Sequence, residues 1–294
     1  MKLSILYQKI IKFGAELDPR KGKRIKAYAD TAILYGNRNL EIKKILVGID
    51  IEPAELLLAD KLREKNGLDL AISHHPEGWA WANFYEVMSL QIDLLVKVGI
   101  PKKVAQALIE ERKQEVERRV LPQNHMRSVD IARLLDMPFM CVHTPADNHA
   151  AYFIQNLLEK EKPKRLEEII QILLEVPEYK EAEKNRIGPR IILGNPRRQV
   201  GKIFVEMTGG TEGSKEVFDK LYKRGIRTLV SMHLSEEHFK KVKEANLNVV
   251  IAGHISSDTL GLNLILDRIE KTEGEFLETI SCSGFRRIRH KDLF

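Results

Sequence analysis

The sequence predicts an α/β fold in two halves, and three observations carry that reading. Short apolar runs bounded by Gly, Pro and Asn recur in the manner of buried strands. Stretches of helical length alternate with them. No low-complexity tract or uninterrupted apolar span breaks the alternation. With 294 residues, of which 43% are hydrophobic, the chain can bury a sizeable core.

Residues 1–14 carry apolar side chains at helical spacing, but Lys2, Lys9 and Lys12 interrupt them, so the segment is neither a signal-peptide core nor a membrane span. A soluble cytoplasmic protein without a membrane segment is expected. Residues 44–50 read as a strand, 53–65 as a helix with Pro53 in its first turn, and 68–72 as a second strand, together a right-handed βαβ unit. Residues 84–98 and 101–120 read as helices, the second with the Glu, Arg and Lys content of a solvated one. A third strand, 138–142, ends at His143, and helices follow over 148–161 and 163–175.

The texture then changes to turn punctuation, Ile187-Gly188-Pro189 and Gly194-Asn195-Pro196, which sets a boundary near residue 188. Residues 1–187 form an N-terminal α/β lobe with a helical extension and 188–294 a C-terminal α/β lobe, both contributing to one site. In the second half strands are expected at 202–207, 228–231 and 248–252, with helices at 212–224, 236–245 and 259–271. Each half follows a strand-helix-strand plan ending in a loop with candidate ligands, the pattern an internal duplication would leave.

Lys and Arg outnumber Asp and Glu by 48 to 42, a net charge of +6. The excess gathers at residues 19–24, 196–198 and 286–291. Acids are interspersed throughout and no basic cluster is interleaved with aromatics, so the composition points away from a nucleic-acid interface. Cys141 and Cys282 match no metal-binding or redox spacing and are expected as buried free thiols.

The chemistry concentrates at Ser73-His74-His75-Pro76, where two histidines follow a strand that has just ended. Adjacent side chains within a strand point to opposite faces, so at a strand's end the two can diverge and serve different ions. Asp147, His254 and Asp258 fall at similar strand-to-helix junctions, where open α/β sheets place ligands. Taken alone, Asp147 fits a capping box over Thr144-Pro145-Ala146-Asp147. His254 and Asp258, four apart at a helix entrance, can reach a common cation. Three histidines and two carboxylates suit two divalent ions such as Zn²⁺, Fe²⁺ or Mn²⁺ with one carboxylate bridging, and the absence of thiolates argues against a closed structural zinc site.

His143 is a candidate proton carrier beside Asp147, its bland alternative being a loop histidine. His233 and His238 are expected as exposed helix-start residues. The glycine-rich run 208–214 lies between a strand and a helix, where backbone N–H groups can hold phosphate, but it lacks the Lys-Ser/Thr of a P-loop. Trp79, Trp81, Phe84 and Tyr85 are expected to pack the following helix, with a wall over the ions as the alternative.

These segments resemble the Nif-three-like dinuclear-metal family, some members of which carry the name GTP cyclohydrolase I type 2. The family's first strand and helix resemble Lys44 to Pro53, its His-His-Pro loop resembles Ile72 to Pro76, and its His-Thr-x-x-Asp segment resembles His143 to Asp147. Its late His-x-x-x-Glu resembles His254 to Asp258, with Asp in place of Glu, and its Asp-Asn-x-Gly segment resembles Asp30-Thr31-Ala32 only in the aspartate. The resemblance spans about residues 30–270. It implies His74, His75, Asp147, His254 and Asp258 as metal ligands, two α/β lobes facing each other across the ions, and a ring-like homo-oligomer, commonly a hexamer. Residues 76–137 are longer than in compact members, and no large inserted domain fits between Asp147 and residue 200.

The expected function is a metal-dependent hydrolase acting through a metal-activated water on a nucleotide-like or phosphorylated small molecule. The alternative is a non-catalytic metal-binding protein with a regulatory partner, and a third reading leaves the five residues as caps and turns on a metal-free scaffold.

Overall fold

The computed structural model describes residues 1–21, 24–274 and 276–290. Gly22 and Lys23 of the first basic cluster and Lys291 of the last lie outside the described residues.

Helix α1 (Leu3–Leu17) leads into strand β1 (Ala32–Tyr35), β2 (Lys44–Gly48), α2 (Pro53–Asn66) and β3 (Leu70–Ser73). Glu55 begins α2 by accepting from the Glu52 backbone N–H at 3.0 Å, and Gly67 ends it with a left-handed φ of 66°. A helical extension follows: α3 (Gly78–Ala82), a 3₁₀ turn (Phe84–Ser89), α4 (Leu90–Lys97), α5 (Lys102–Val120) and α6 (Arg127–Leu134). Then come β4 (Phe139–Cys141), α7 (Thr144–Glu161), α8 (Leu166–Leu174) and α9 (Pro177–Lys184). The second half runs β5 (Arg190–Leu193), β6 (Lys202–Glu206), α10 (Phe218–Lys223), β7 (Ile226–Ser231), α11 (Glu236–Glu244), β8 (Asn248–Ile251), α12 (His254–Glu273) and β9 (Glu278–Ser281).

The strands form two mixed sheets, ordered β1-β4-β3-β2-β9 and β5-β8-β7-β6. Four strands of the first (β4, β3, β2, β9) and three of the second (β8, β7, β6) run parallel, and each set is flanked by an antiparallel strand that comes first in sequence, β1 against β4 and β5 against β8. The two halves therefore share one topology. They also exchange elements: β9 returns to pair with β2, and the 3₁₀ turn, α4 and α5 cross to the other sheet, where Met88, Leu95 and Ile109 pack with Phe204, Leu229 and Val249.

Helices α7 and α12 lie between the sheets. Leu262, Ile265 and Leu266 of α12 pack on Ile45, Ile72 and Met140, while Leu260 and Leu264 pack on Val205, Val230 and Val250. A helix apolar on opposite sides is what a central layer requires. Gly261 lies at backbone contact with the Ala146 carbonyl of α7, leaving no room for a β-carbon.

Several expected elements differ. The stretch 84–98 divides into a 3₁₀ turn and α4, and the helix expected from residue 212 is replaced by a loop with two left-handed glycines, a 3₁₀ turn (Lys215–Val217) and only then α10. Helix α5 is not solvated all round: Ala105, Ile109, Arg112, Val116 and Val120 form a buried stripe. Two residues of the C-terminal basic cluster turn inward, while Arg286 is exposed. The Arg287 guanidinium is buried against Asp267 and Glu270, at 2.6 and 3.0 Å, and His290 meets Glu178 at 2.8 Å. Cys141 is buried and Cys282 half-buried, both free. Among the described residues no helix is long and apolar enough to cross a membrane.

Candidate metal centre

The histidine pair is fixed to the edge of the first sheet by backbone bonds. The His74 N–H donates to the Gly48 carbonyl and the His75 N–H to the Ile49 carbonyl, each at 2.9 Å, while Ser73 Oγ donates to the His75 carbonyl at 2.8 Å. Each ring is then oriented through Nδ1. That of His74 donates to the Val142 carbonyl at 3.0 Å and that of His75 to Asp50 at 2.6 Å, which leaves both Nε2 atoms directed into the site.

The second contribution comes from the openings of α7 and α12. Gly253, with φ 115°, lets β8 turn into α12 so that His254 is the first helical residue, four before Asp258. Asp258 sits between the halves: Oδ1 is 3.5 Å from His74 Nε2, and Oδ2 is 3.5 Å from both His75 Nε2 and His254 Nε2. Asp147 Oδ1 is 3.3 Å from His74 Nε2, and its Oδ2 is 3.8 Å from His143 Nε2. The shorter Asp arm thus still reaches histidines on both sides.

The capping-box reading of Asp147 is corrected. Helix α7 starts at Thr144 with His143 at its N-cap, and the Thr144 hydroxyl donates to Asp30 at 2.6 Å instead of capping. His74 Nε2, Asp147 Oδ1 and both Asp258 oxygens are buried and accept or donate no hydrogen bond among the described residues. Four orphaned polar atoms converging on one place would be costly unless a cation lies among them. Two overlapping groups, His74 with His143 and Asp147, and His74 with His75 and Asp258, bring their ligand atoms within 4.8 Å of one another and can hold a metal ion. Imidazole and carboxylate donors suit a borderline divalent ion.

Electrostatics expresses the same crowding. Burial works against charge on His74, but Asp258 and Asp147 outweigh it and push its pKa up to about 10. Burial likewise opposes a charged His75, yet Asp258 and Asp50 raise it to about 9. His254, with burial and three neighbouring imidazoles against it, is lowered to about 4. Burial opposes ionisation of Asp258, but the histidines hold its pKa well below the ordinary carboxylate range. The protons favoured on His74 and His75 must leave before those imidazoles can hold a metal.

Further residues complete the surroundings. Asp30 Oδ2 accepts from His143 Nδ1 at 2.8 Å, and Asp50 orients His75. His233 is half-buried and lines the cleft, its ring centroid 4.8 Å from that of His254, while His238 is buried with its Nε2 at the Gly213 carbonyl, so neither is a plain exposed helix-start residue. A cavity of about 430 Å³ opens beside His75, His143, His233 and His254. Trp81 and Phe84, stacked at 4.7 Å, form part of its wall, whereas Trp79 is exposed. The helical extension therefore borders the site.

The fold and site define a two-sheet α/β protein with a buried His/Asp cluster suited to metal. No family model matches the chain, and no curated protein matches it. Among solved structures it is similar to a NIF3 superfamily protein from Sphaerobacter thermophilus, at 30% identity and a TM-score of 0.77, with 94% of this chain and 98% of that one covered. Reduced HcgD from Methanocaldococcus jannaschii shares the fold at 19% identity and a TM-score of 0.57, covering 96% and 97% of the two chains. So does a Bacillus cereus protein related to NIF3, at 9% identity and a TM-score of 0.51, covering 100% and 98%. The chain belongs to the NIF3 superfamily.

Proposed function

We propose that the protein holds two divalent ions, Zn²⁺, Fe²⁺ or Mn²⁺, through His74, His75, Asp147, His254 and Asp258, and hydrolyses a nucleotide-like or phosphorylated small molecule. The observation that carries this reading is the convergence of four buried atoms without hydrogen bonds on Asp258, whose two oxygens meet histidines on opposite sides. When bound, such ions supply Lewis acidity, polarising a substrate oxygen and lowering the pKa of a water.

The chain's own residues supply the rest. His74 and His75, divergent at one strand end, favour one ion each, and Asp258 faces both. His143 is locked at Nδ1 by Asp30 and keeps Nε2 at the cavity edge, the placement of a proton carrier. The cavity, at about 430 Å³, matches a small-molecule site, and the Trp81–Phe84 wall offers an apolar side to a substrate ring. The phosphorylated or nucleotide-like class follows from the family resemblance, as does a ring-like homo-oligomer, which light scattering on the intact protein would measure.

The test is elemental analysis on protein purified without a metal-affinity tag, followed by a panel of phosphoesters, nucleotides and amides. About two equivalents of metal, with turnover lost in His143→Ala, support the proposal. Loaded protein that turns over no member of the panel favours the non-catalytic binding role. Protein that takes up no metal leaves the five residues with structural roles alone.

A further inference from the structure

His233 stands outside the proposed ligand set, yet it is built as the site's own histidines are. Ser73 and Ser231 end β3 and β7, which occupy the same place in the two sheets. Ser231 Oγ donates to the His233 carbonyl at 2.9 Å, as Ser73 Oγ does to that of His75 at 2.8 Å. Glu212 lies 3.6 Å from His233 Nδ1 where Asp50 lies 2.6 Å from His75 Nδ1. His233 is thus the second half's counterpart of His75, with Nδ1 directed at a carboxylate and Nε2 left for the pocket.

Beside it, the loop between β6 and the following 3₁₀ turn presents backbone donors. Gln91 of α4 is buried, and its side-chain amide donates to the carbonyls of Gly209 at 2.9 Å and Thr211 at 2.7 Å. In a trans peptide the N–H points opposite to the carbonyl. Turning those two carbonyls toward Gln91 therefore turns the N–H groups of Gly210 and Glu212 away from it. Gly210, Thr211 and Glu212 line a second, smaller cavity of about 40 Å³ together with His233, His254 and Asp258, and Gly210 and Thr211 also line the larger one. Both glycines are required: their φ values are 102° and 86°, and a β-carbon would lie 2.5 Å from Gln91 at residue 209 and 2.9 Å from Val87 at residue 210. Four carboxylates line the smaller cavity: Glu206 meets the Gly213 N–H at 3.3 Å and Glu212 the Ser235 N–H at 2.5 Å, while Asp147 and Asp258 belong to the proposed metal site.

We infer that His233 Nε2 and the backbone amides of Gly210 and Glu212 form an oxyanion subsite beside the metal centre, which takes a phosphate or similar tetrahedral anion of the substrate. Successive amides around left-handed glycines make an anion-binding concavity, and His233, whose Nδ1 faces Glu212, extends it toward the ions with an Nε2–H when the ring is the imidazolium. This rests on the proposed metal site and adds to it the place where a phosphorylated substrate is held.

The test loads the full chain with Co²⁺ and titrates inorganic phosphate, read by visible Co²⁺ absorption, which responds only to anions near the ions. Wild type is expected to give a saturable change. His233→Ala should keep its cobalt content while binding phosphate about tenfold or more weakly, and His233→Gln, which keeps a donor near the Nε2 position, should recover part of the affinity. No phosphate response in loaded wild type, an unchanged affinity in His233→Ala, or loss of cobalt from that variant would each overturn the inference, the last by making His233 a ligand. Wild type that takes up no Co²⁺ overturns the metal reading itself, and that failure is distinct because no cobalt spectrum appears.

Discussion

Asp30 and His143, 113 residues apart, share a buried 2.8 Å hydrogen bond in which Nδ1 donates to Oδ2. The same oxygen accepts from the Thr144 hydroxyl at 2.6 Å, so one carboxylate sets both the ring that faces the site and the first residue of α7. Asp30→Ala strands these buried donors, at a cost of about 1–3 kcal/mol for each unsatisfied group. Urea unfolding should show a lowered midpoint at unchanged slope, with Asp30→Asn less affected because it keeps an acceptor. An alanine variant as stable as wild type would mean that water or a neighbour takes over the carboxylate's place.

Asp258 and Asp147 differ in reach, and metal content should show it. Asp258 faces His74 on one side and His75 with His254 on the other, whereas Asp147 faces His74 and His143. Asp258→Ala is expected to deplete both ions, while Asp147→Ala keeps about one equivalent on the His75 side. Elemental analysis of the two proteins side by side decides it. Equal losses in both would mean that a single ion, or a fully cooperative pair, occupies the site.

Much of this site was legible because its residues stand where apolar runs stop. His74, His75, Asp147, His254 and Asp258 all sit at the ends of strands marked by Gly, Pro or Ser, and the structure places them around one point. Strands β1 and β9 were not legible: each has four residues, mostly half-buried, so no apolar alternation shows, and β9 gains its partner β2 from the far end of the chain. Asp30 showed only as the one matching residue of a family segment, and Asp50 and Glu212 gave no sign of a histidine partner, since a lone acid in a loop carries no pattern until tertiary structure brings a histidine to it. His238 looked exposed because its burial comes from the Ser235 hydroxyl and the Gly213 carbonyl.

The pH dependence of stability should differ between metal-free and loaded protein. His74 and His75 have folded pKa values of about 10 and about 9 against an ordinary 6.5. Their contribution is complete below pH 6.5 and is lost as pH rises through 9 to 10. Asp258, depressed below its ordinary 3.8, contributes above that value and loses its effect only in strong acid. His254, lowered to about 4, is unprotonated in both states above 6.5 and adds no slope there. Metal-free protein should therefore lose thermal stability between pH 7 and 9.5, whereas ions, which need unprotonated imidazoles, should stabilise more as pH rises over the same window. Melting curves with and without chelator measure both arms. A flat or rising Tm in the chelated protein would show that the His74–Asp258 pair is not the charged pair described.

Gly261 offers a test of how the centre is held that alters no ligand. It meets the Ala146 carbonyl where α7 crosses α12, next to Asp147 and three residues beyond Asp258. In a helix chosen for propensity alone, Gly→Ala would stabilise by roughly 0.5–1 kcal/mol. Here the added methyl must push two central helices apart, an overpacking cost of about 1–3 kcal/mol. Gly261→Ala should accordingly be destabilised, and it should bind metal more weakly than wild type because Asp147 and Asp258 move with their helices. A variant that is stabilised and fully metal-loaded would show that the crossing can relax without moving the carboxylates.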